Sequence, residues 1–300
     1  MNGLSASPDL GEQRRLLLVA GAPKCGTTSL HQRLAPDCTT GAHKELRYFL
    51  EPQHSLARDT TFSAGGWDGY WELFDTPVPS GGRPFLDSTP DYLYTPGLPE
   101  TLAQSTDVDK QLLFVLRAPE QRVYSLFRFA RDRVMSIPAR WTFRDFLAAH
   151  DARTLPASNP ILAQAVAHSS YVTWLQPFFQ QLDRSEVAVL LYEEVTASNF
   201  DLVGAVPRLA EWGVAATAQP LERANASHSY RSPTLTKLAR RVGPVVGPRA
   251  KQVFQRLNRA APRETPAADL EAVADLATRF TLLNEELAAM LGRELTPWEA

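Results

Sequence analysis

Cysteine is scarce: Cys25 and Cys38 are the two thiols in 300 residues. They have neither the density of a disulfide framework nor the spacing of metal ligands, so a disulfide scaffold is excluded and a reducing compartment fits. Long apolar runs are also missing, and none reaches the ~18 residues that a membrane helix needs. The opening "MNGLSASPDLGEQRR" carries no apolar signal core. The expectation is a soluble, cytoplasmic chain with no membrane span. An excess of one charge is absent too: 31 Lys and Arg against 33 Asp and Glu give a net charge of −2. Nucleic-acid partners are therefore excluded, because they select for a basic face. No His/Cys/Asp cluster has ligand spacing, so no metal is expected, and no repeat recurs at solenoid periods.

What is present is a set of short, continuously apolar runs: "LLLVA" at Leu16–Ala20, "PFLD" around Phe85, "QLLFVL" at Gln111–Leu116 and "VAVLLY" at Val187–Tyr192. Runs without polar alternation predict strands covered on both faces. Helix-like segments lie between them. In "PEQRVYSLFRFARDR", Pro119 suits a first helical position, and Val123, Phe127 and Ala130 share a face. In "TRFTLLNEELAAMLG", Phe280, Leu283, Leu287 and Met290 share a face and Gly292 is a stop. Alternating strands and helices predict an α/β fold: a doubly wound, mainly parallel sheet with helices on both faces. Residues 1–13 are read as a flexible terminus, residues 14–300 as one domain, and residues 242–267, rich in Pro, Gly, Arg and Ala, as a mobile excursion.

The first apolar run leads directly into "GAPKCGTTSL". A strand, a Gly-bearing turn and a helix start aim backbone N–H groups, a helix N-terminus and the Lys24 ammonium at one place, which suits phosphate or sulfate. Gly26 permits close approach, and Thr27, Thr28 and Ser29 bring hydroxyls. A triphosphate loop ends in Gly-Lys-Ser/Thr, whereas here Lys24 precedes Cys25 and Gly26. The same residues would also make an ordinary βα turn. Cys25 at a helix N-terminus opens a nucleophile reading, but a tyrosine-phosphatase loop needs arginine six positions on, where His31 stands.

A second anchor follows "QLLFVL". Arg117 leaves the end of that run and Ser125 lies two turns into the next helix. An arginine at the carboxyl edge of a parallel strand reaches the ligand crevice of such sheets, and its planar fork suits a terminal phosphate. Taken alone, strand capping by Arg117 and packing of a small Ser125 explain the same two residues.

Together, "PKCGTTSL" and "LRAPEQRVYS" resemble the two cofactor motifs of the sulfotransferases that use 3′-phosphoadenosine 5′-phosphosulfate (PAPS). "HKELRYFL", "LDSTPDYL", "SSYVTWLQPFF", "VLLYEEV" and "LNEELAAMLGRELTPW" resemble further segments of that family's carbohydrate and heparan-sulfate branch, in order, across most of residues 15–298. Composition rich in Ala, Arg and Pro suggests a bacterial source. The resemblance implies that Lys24, Cys25, Gly26, Thr27, Thr28 and Ser29 grip the 5′-phosphosulfate, that Arg117 and Ser125 grip the 3′-phosphate, and that Tyr171 lies near the cofactor. Three departures stand out. Ser169 replaces a glycine before Tyr171, Ser88 stands where lysine is common in a substrate role, and the late Lys-Gly loop is missing, with Arg231 in "SHSYRSP" its nearest substitute.

Sulfuryl transfer to an alcohol needs a base for the acceptor proton and a cation for the departing phosphate oxygen. The resemblance implies Glu45, in the Lys-Glu pair, as that base, and Lys24 is the candidate cation. His43 is the competing base, while "HKE" is also what a solvated charge cluster looks like. The acceptor class expected is a carbohydrate or a natural-product hydroxyl, and the aromatics of "GGWDGYWELF" serve either as a stacking surface or as core. The rival functions are a small-molecule P-loop kinase and a non-catalytic nucleotide-binding module of the same fold.

Overall fold

The run Arg14–Gly21 forms strand β1, and Leu16 to Ala20 lose all solvent exposure in it. A strand this apolar is stable only between covered faces. The computed structural model describes residues 13–75, 82–155, 160–216 and 265–298. In chain order, β1 is followed by helix α1 (Thr27–Leu34), strand β2 (Thr39–Thr40), helix α2 (Phe62–Trp71), strand β3 (Phe85–Asp87), helix α3 (Leu98–Gln104) and strand β4 (Val108–Leu116). Helices α4 (Pro119–Arg128), α5 (Phe143–Asp151) and α6 (Tyr171–Gln181) precede strand β5 (Val187–Leu191), and α7 (Ala267–Ala277) and α8 (Thr281–Leu291) close the chain.

The five strands make one parallel sheet in the order β2-β3-β1-β4-β5. The four apolar runs of the sequence are four of these strands. Two-residue β2 has no such run and is defined by pairing with β3 alone. From β1 the chain runs out to the edge strand β2, returns to β3 beside β1, then crosses to β4 on the other side of β1. That reversal is a switch point, beside which open parallel sheets bind ligands at the carboxyl ends of their strands.

The chain divides into two compact units. One, Met1–Leu116 with Leu175–Glu222, holds the sheet. Phe114 in β4 is fully buried and meets Phe178 edge-on, with ring centroids 4.9 Å apart. The aromatics of "GGWDGYWELF" belong to this core: Trp67 stacks on Trp71 at 5.2 Å, and Trp71 meets Phe85 at 4.9 Å.

The other unit, Arg117–Trp174 with Arg223–Ala300, is helical where described. Pro119 opens α4, and Thr142 and Asp145 cap α5 reciprocally. Val123, Phe127, Phe143, Phe146, Leu276 and Phe280 form its core. Asp269 is buried there, accepting hydrogen bonds from Phe143 N (2.9 Å) and the Tyr124 hydroxyl (3.1 Å). Gly292 ends α8 at φ +66°, a conformation that Cβ disfavours. Residues 242–264 of the expected excursion, and Arg231, lie outside the described residues.

Phe114→Ala removes a ring from the middle of the sheet core. It should cost about 3–5 kcal/mol, read as a lower urea midpoint at unchanged slope; a loss under about 1 kcal/mol would contradict this account of the core.

Candidate functional site

The pairing of β1 with β4 shifts register between Val19 and Gly21, and such an irregularity re-aims the chain that follows. Ala22 N then donates to Val115 O at 2.8 Å, pinning the loop to β4. Lys24 (φ +73°) and Gly26 (φ +88°) are both left-handed, the alternation that turns successive N–H groups into a concave anion cradle. Among the described residues, helix α1 starts at Thr27 with no side-chain cap hydrogen bond and no acid in its own first turn, which leaves the positive end of its dipole suited to an anion. Thr27 is buried, while Lys24, Gly26, Thr28 and Ser29 are partly exposed. Cys25 is fully buried, its N–H directed to Ala22 O (3.2 Å) and its Sγ to Pro23 O (3.8 Å). A thiol so enclosed lacks the access that a nucleophile needs. A Cβ on Gly26 would lie 3.0 Å from the Tyr192 ring, so both backbone angle and space require glycine there.

In the same unit, Glu45 lies between two cations. Lys44 Nζ is 3.0 Å from Oε1 and Arg47 Nη2 is 2.8 Å from Oε2, with Glu45 27 % exposed. Burial pushes the Glu45 pKa up, but the Lys44 charge and the hydrogen bonds from Arg47 and Lys44 outweigh it and hold the carboxyl below its ordinary range. It is ionised at neutral pH and able to accept a proton. His43 is exposed two residues earlier.

The segment after Glu45 has no regular secondary structure, and its N–H groups go to side chains of "LDSTPDYL". Leu46 N donates to Asp87 Oδ1 (3.2 Å), Arg47 N to Thr89 Oγ1 (3.0 Å), and Tyr48 N to the Tyr92 hydroxyl (3.0 Å). Thr89 and Tyr92 each donate onward to Asp87 at 2.7 Å, and Tyr70 adds a fourth bond at 3.2 Å. Asp87 has no exposed surface, and burial raises its pKa against the pull of these bonds. All four are accepted by its oxygens, the pattern of an ionised carboxylate.

Ser88 is equally buried. Its N–H donates to Lys44 O (3.1 Å), and its hydroxyl shares a 2.9 Å hydrogen bond with His31 Nδ1. Burial, then the Lys44 charge, lowers the His31 pKa to about 4, against the opposing pull of Glu45. His31 is thus neutral at pH 7, an uncharged group packed among charged ones.

In the second unit, Arg117 and Ser125 are partly exposed. Tyr171 is buried, and its hydroxyl donates to Arg117 O at 2.9 Å, so it holds the arginine's backbone. Ser169, the departure from glycine, accepts from buried Arg122 Nη1 at 2.8 Å and donates to Ala165 O at 3.0 Å. The larger side chain has a polar role that glycine cannot fill. Sequence reasoning missed Asp87, Thr89, Tyr92, Arg47 and Tyr192 altogether. An acid and two hydroxyls within six residues, at the end of an apolar run, were the available signal for the first three.

No protein-family profile and no curated protein matches the chain. Among solved structures, a sulfotransferase from Alicyclobacillus acidocaldarius is similar at TM-score 0.62 and 22 % identity, covering 96 % of this chain and 99 % of that one. The shared feature is the fold. Two others, the sulfotransferase domain of the curacin biosynthetic pathway (TM-score 0.44, 14 % identity, 94 % and 99 % covered) and that of the Synechococcus PCC 7002 olefin synthase (TM-score 0.37, 14 % identity, 90 % and 96 % covered), are too distant to carry weight. Among the described residues no helix is long and apolar enough to cross a membrane.

Gly26→Ala places a Cβ at a left-handed angle and against Tyr192. It should lower stability by about 1–2 kcal/mol and weaken the thermal stabilisation given by sulfate; an unchanged denaturation curve and sulfate response would remove the cradle assignment. For His31 the folded pKa lies below the unfolded one, so the unfolded chain gains the proton first and stability falls as pH drops from 6.5 towards about 4. Melting curves across that window should show the parent losing roughly 2 °C or more beyond the loss of His31→Asn; parallel losses would contradict the burial of a neutral imidazole.

Proposed function

We propose that this protein is a sulfotransferase that uses PAPS and acts on a hydroxyl of a carbohydrate or natural-product acceptor. The observation that carries the reading is the cradle at the carboxyl end of β1, where left-handed Lys24 and Gly26 precede an uncapped helix N-terminus. The fold shared with a sulfotransferase supports it. The residues suit the group: the uncapped first turn and Lys24 complement a phosphosulfate, and Gly26 admits close approach.

PAPS, when bound, supplies the sulfuryl group. Lys24, Gly26, Thr27 and Thr28, with Cys25 and Ser29, hold the phosphosulfate end, and the Lys24 ammonium offsets charge on the departing phosphate oxygen. Arg117 and Ser125 hold the 3′-phosphate, with the Arg117 backbone fixed by Tyr171. Glu45 takes the acceptor proton as the acceptor oxygen bonds to sulfur and the sulfur–phosphate oxygen bond breaks. Its lowered pKa makes it a weak base towards a resting alcohol, so the proton moves as the hydroxyl becomes acidic in the transition state.

Incubation with 35S-labelled PAPS and a panel of sugar and natural-product alcohols should give labelled product, and adenosine 3′,5′-bisphosphate should raise the melting temperature more than ATP with Mg²⁺. Glu45→Gln should lower turnover by about 10²–10⁴-fold with bisphosphate affinity unchanged. The parent rate should fall with decreasing pH only below the ordinary carboxylate range, as Glu45 protonates. Preferential stabilisation by ATP with Mg²⁺ would favour a kinase, and bisphosphate binding with no transfer to any alcohol would favour a binding module.

A further inference from the structure

The backbone on both sides of Glu45 is held by one short stretch of sequence. Before it, Lys44 O accepts from Ser88 N; after it, Leu46, Arg47 and Tyr48 N–H groups go in turn to Asp87, Thr89 and Tyr92. Phe49 N also points at the Tyr92 hydroxyl, at 3.4 Å. Leu46, Tyr48 and Phe49 are buried, so these N–H groups would be costly to leave unpaired. Arg47 has φ +58°, a strained value for a side chain with Cβ that persists only where its surroundings over-determine it. That turn brings the Arg47 guanidinium back to Glu45, with Nη2 2.8 Å and Nε 3.3 Å from Oε2.

We propose that Asp87, Thr89 and Tyr92 are positioning residues that orient the Glu45 carboxylate by clamping the backbone beside it and enforcing the Arg47 turn. The claim rests on the reading of Glu45 as the base. The two hydroxyls act as relays, each accepting from a backbone N–H and donating to Asp87, so the buried charge strengthens both links of each relay. If the clamp loosens, Arg47 has no reason to keep a left-handed backbone, and the ion pair with Glu45 is lost. Of the charged and titratable neighbours of Glu45, Lys44 and Arg47 pair with it directly and neutral His31 stands beside them.

Thr89→Val keeps the side-chain shape and removes the relay hydroxyl, while Thr89→Ser keeps the hydroxyl. Carbon-13 NMR of the Glu45 carboxyl, assigned with Glu45→Gln, reads the clamp without any acceptor. The parent and Thr89→Ser should titrate below the ordinary glutamate value, and Thr89→Val should move the midpoint up by about one pH unit, a tenfold change in proton affinity. An unmoved midpoint in folded Thr89→Val overturns the proposal. Should Thr89→Val not fold, hydrogen exchange in the parent decides. Leu46, Arg47 and Tyr48 amides should exchange at least about a hundredfold slower than free peptide, and unprotected rates overturn the clamp. The sulfate-transfer assay separates the two readings. Lost turnover in Glu45→Gln with an unmoved Thr89→Val midpoint ends the positioning role alone. Full turnover in Glu45→Gln ends the base reading and, with it, the catalytic purpose of the clamp.

Discussion

A carboxylate with no solvent exposure survives inside a protein only if donors replace the water it has lost. Asp87 meets that requirement with three hydroxyls and one backbone N–H. Two of these hydroxyls are themselves held by N–H groups of the segment that follows Glu45. The need to solvate one buried charge thereby organises a loop that has no helix or strand of its own. It also joins that loop to β3, beside β1 and its cradle.

The sheet supplies the rest of the arrangement. Parallel strands end on the same side, so β1 and β3 deliver "GAPKCGTTSL" and "DSTPDY" to one edge of the same unit. The register shift at the end of β1 and the Ala22–Val115 bond fix where the cradle starts. Electrostatics then divide the tasks. Lys24 stands at an uncapped helix start, suited to anions. Glu45 is kept ionised by Lys44 and Arg47, and His31 is kept neutral by burial.

Much of the fold was legible from the apolar runs, because a strand buried on both faces must be apolar throughout. β2 was not, since two threonines on a sheet edge need no apolar signal. The helix reading of "PEQRVYSLFRFARDR" holds to Arg128, after which the backbone widens into a π-helical turn over Phe129–Val134 that no periodicity announces. The cradle was legible as a strand–glycine–helix pattern. The left-handed angle of Lys24 was not, because lysine gives no hint of it. Ser88 stands where lysine is common in a substrate role, and its hydroxyl is buried against His31, a contact the sequence does not announce.

By itself the sequence determined the four strands that carry apolar runs, the strand–glycine–helix pattern around Lys24–Ser29, and that Lys44 lies beside Glu45, since these follow from local pattern and from immediate neighbours. Only tertiary structure decided that Asp87, Thr89 and Tyr92 serve Leu46, Arg47 and Tyr48, that Tyr192 lies against Gly26, and that Tyr171 holds the backbone of Arg117. These pairings join residues about 40 to 170 positions apart. Hydrogen bonds at that distance depend on how the strands stack and which side chains lose water together, and no local pattern encodes either.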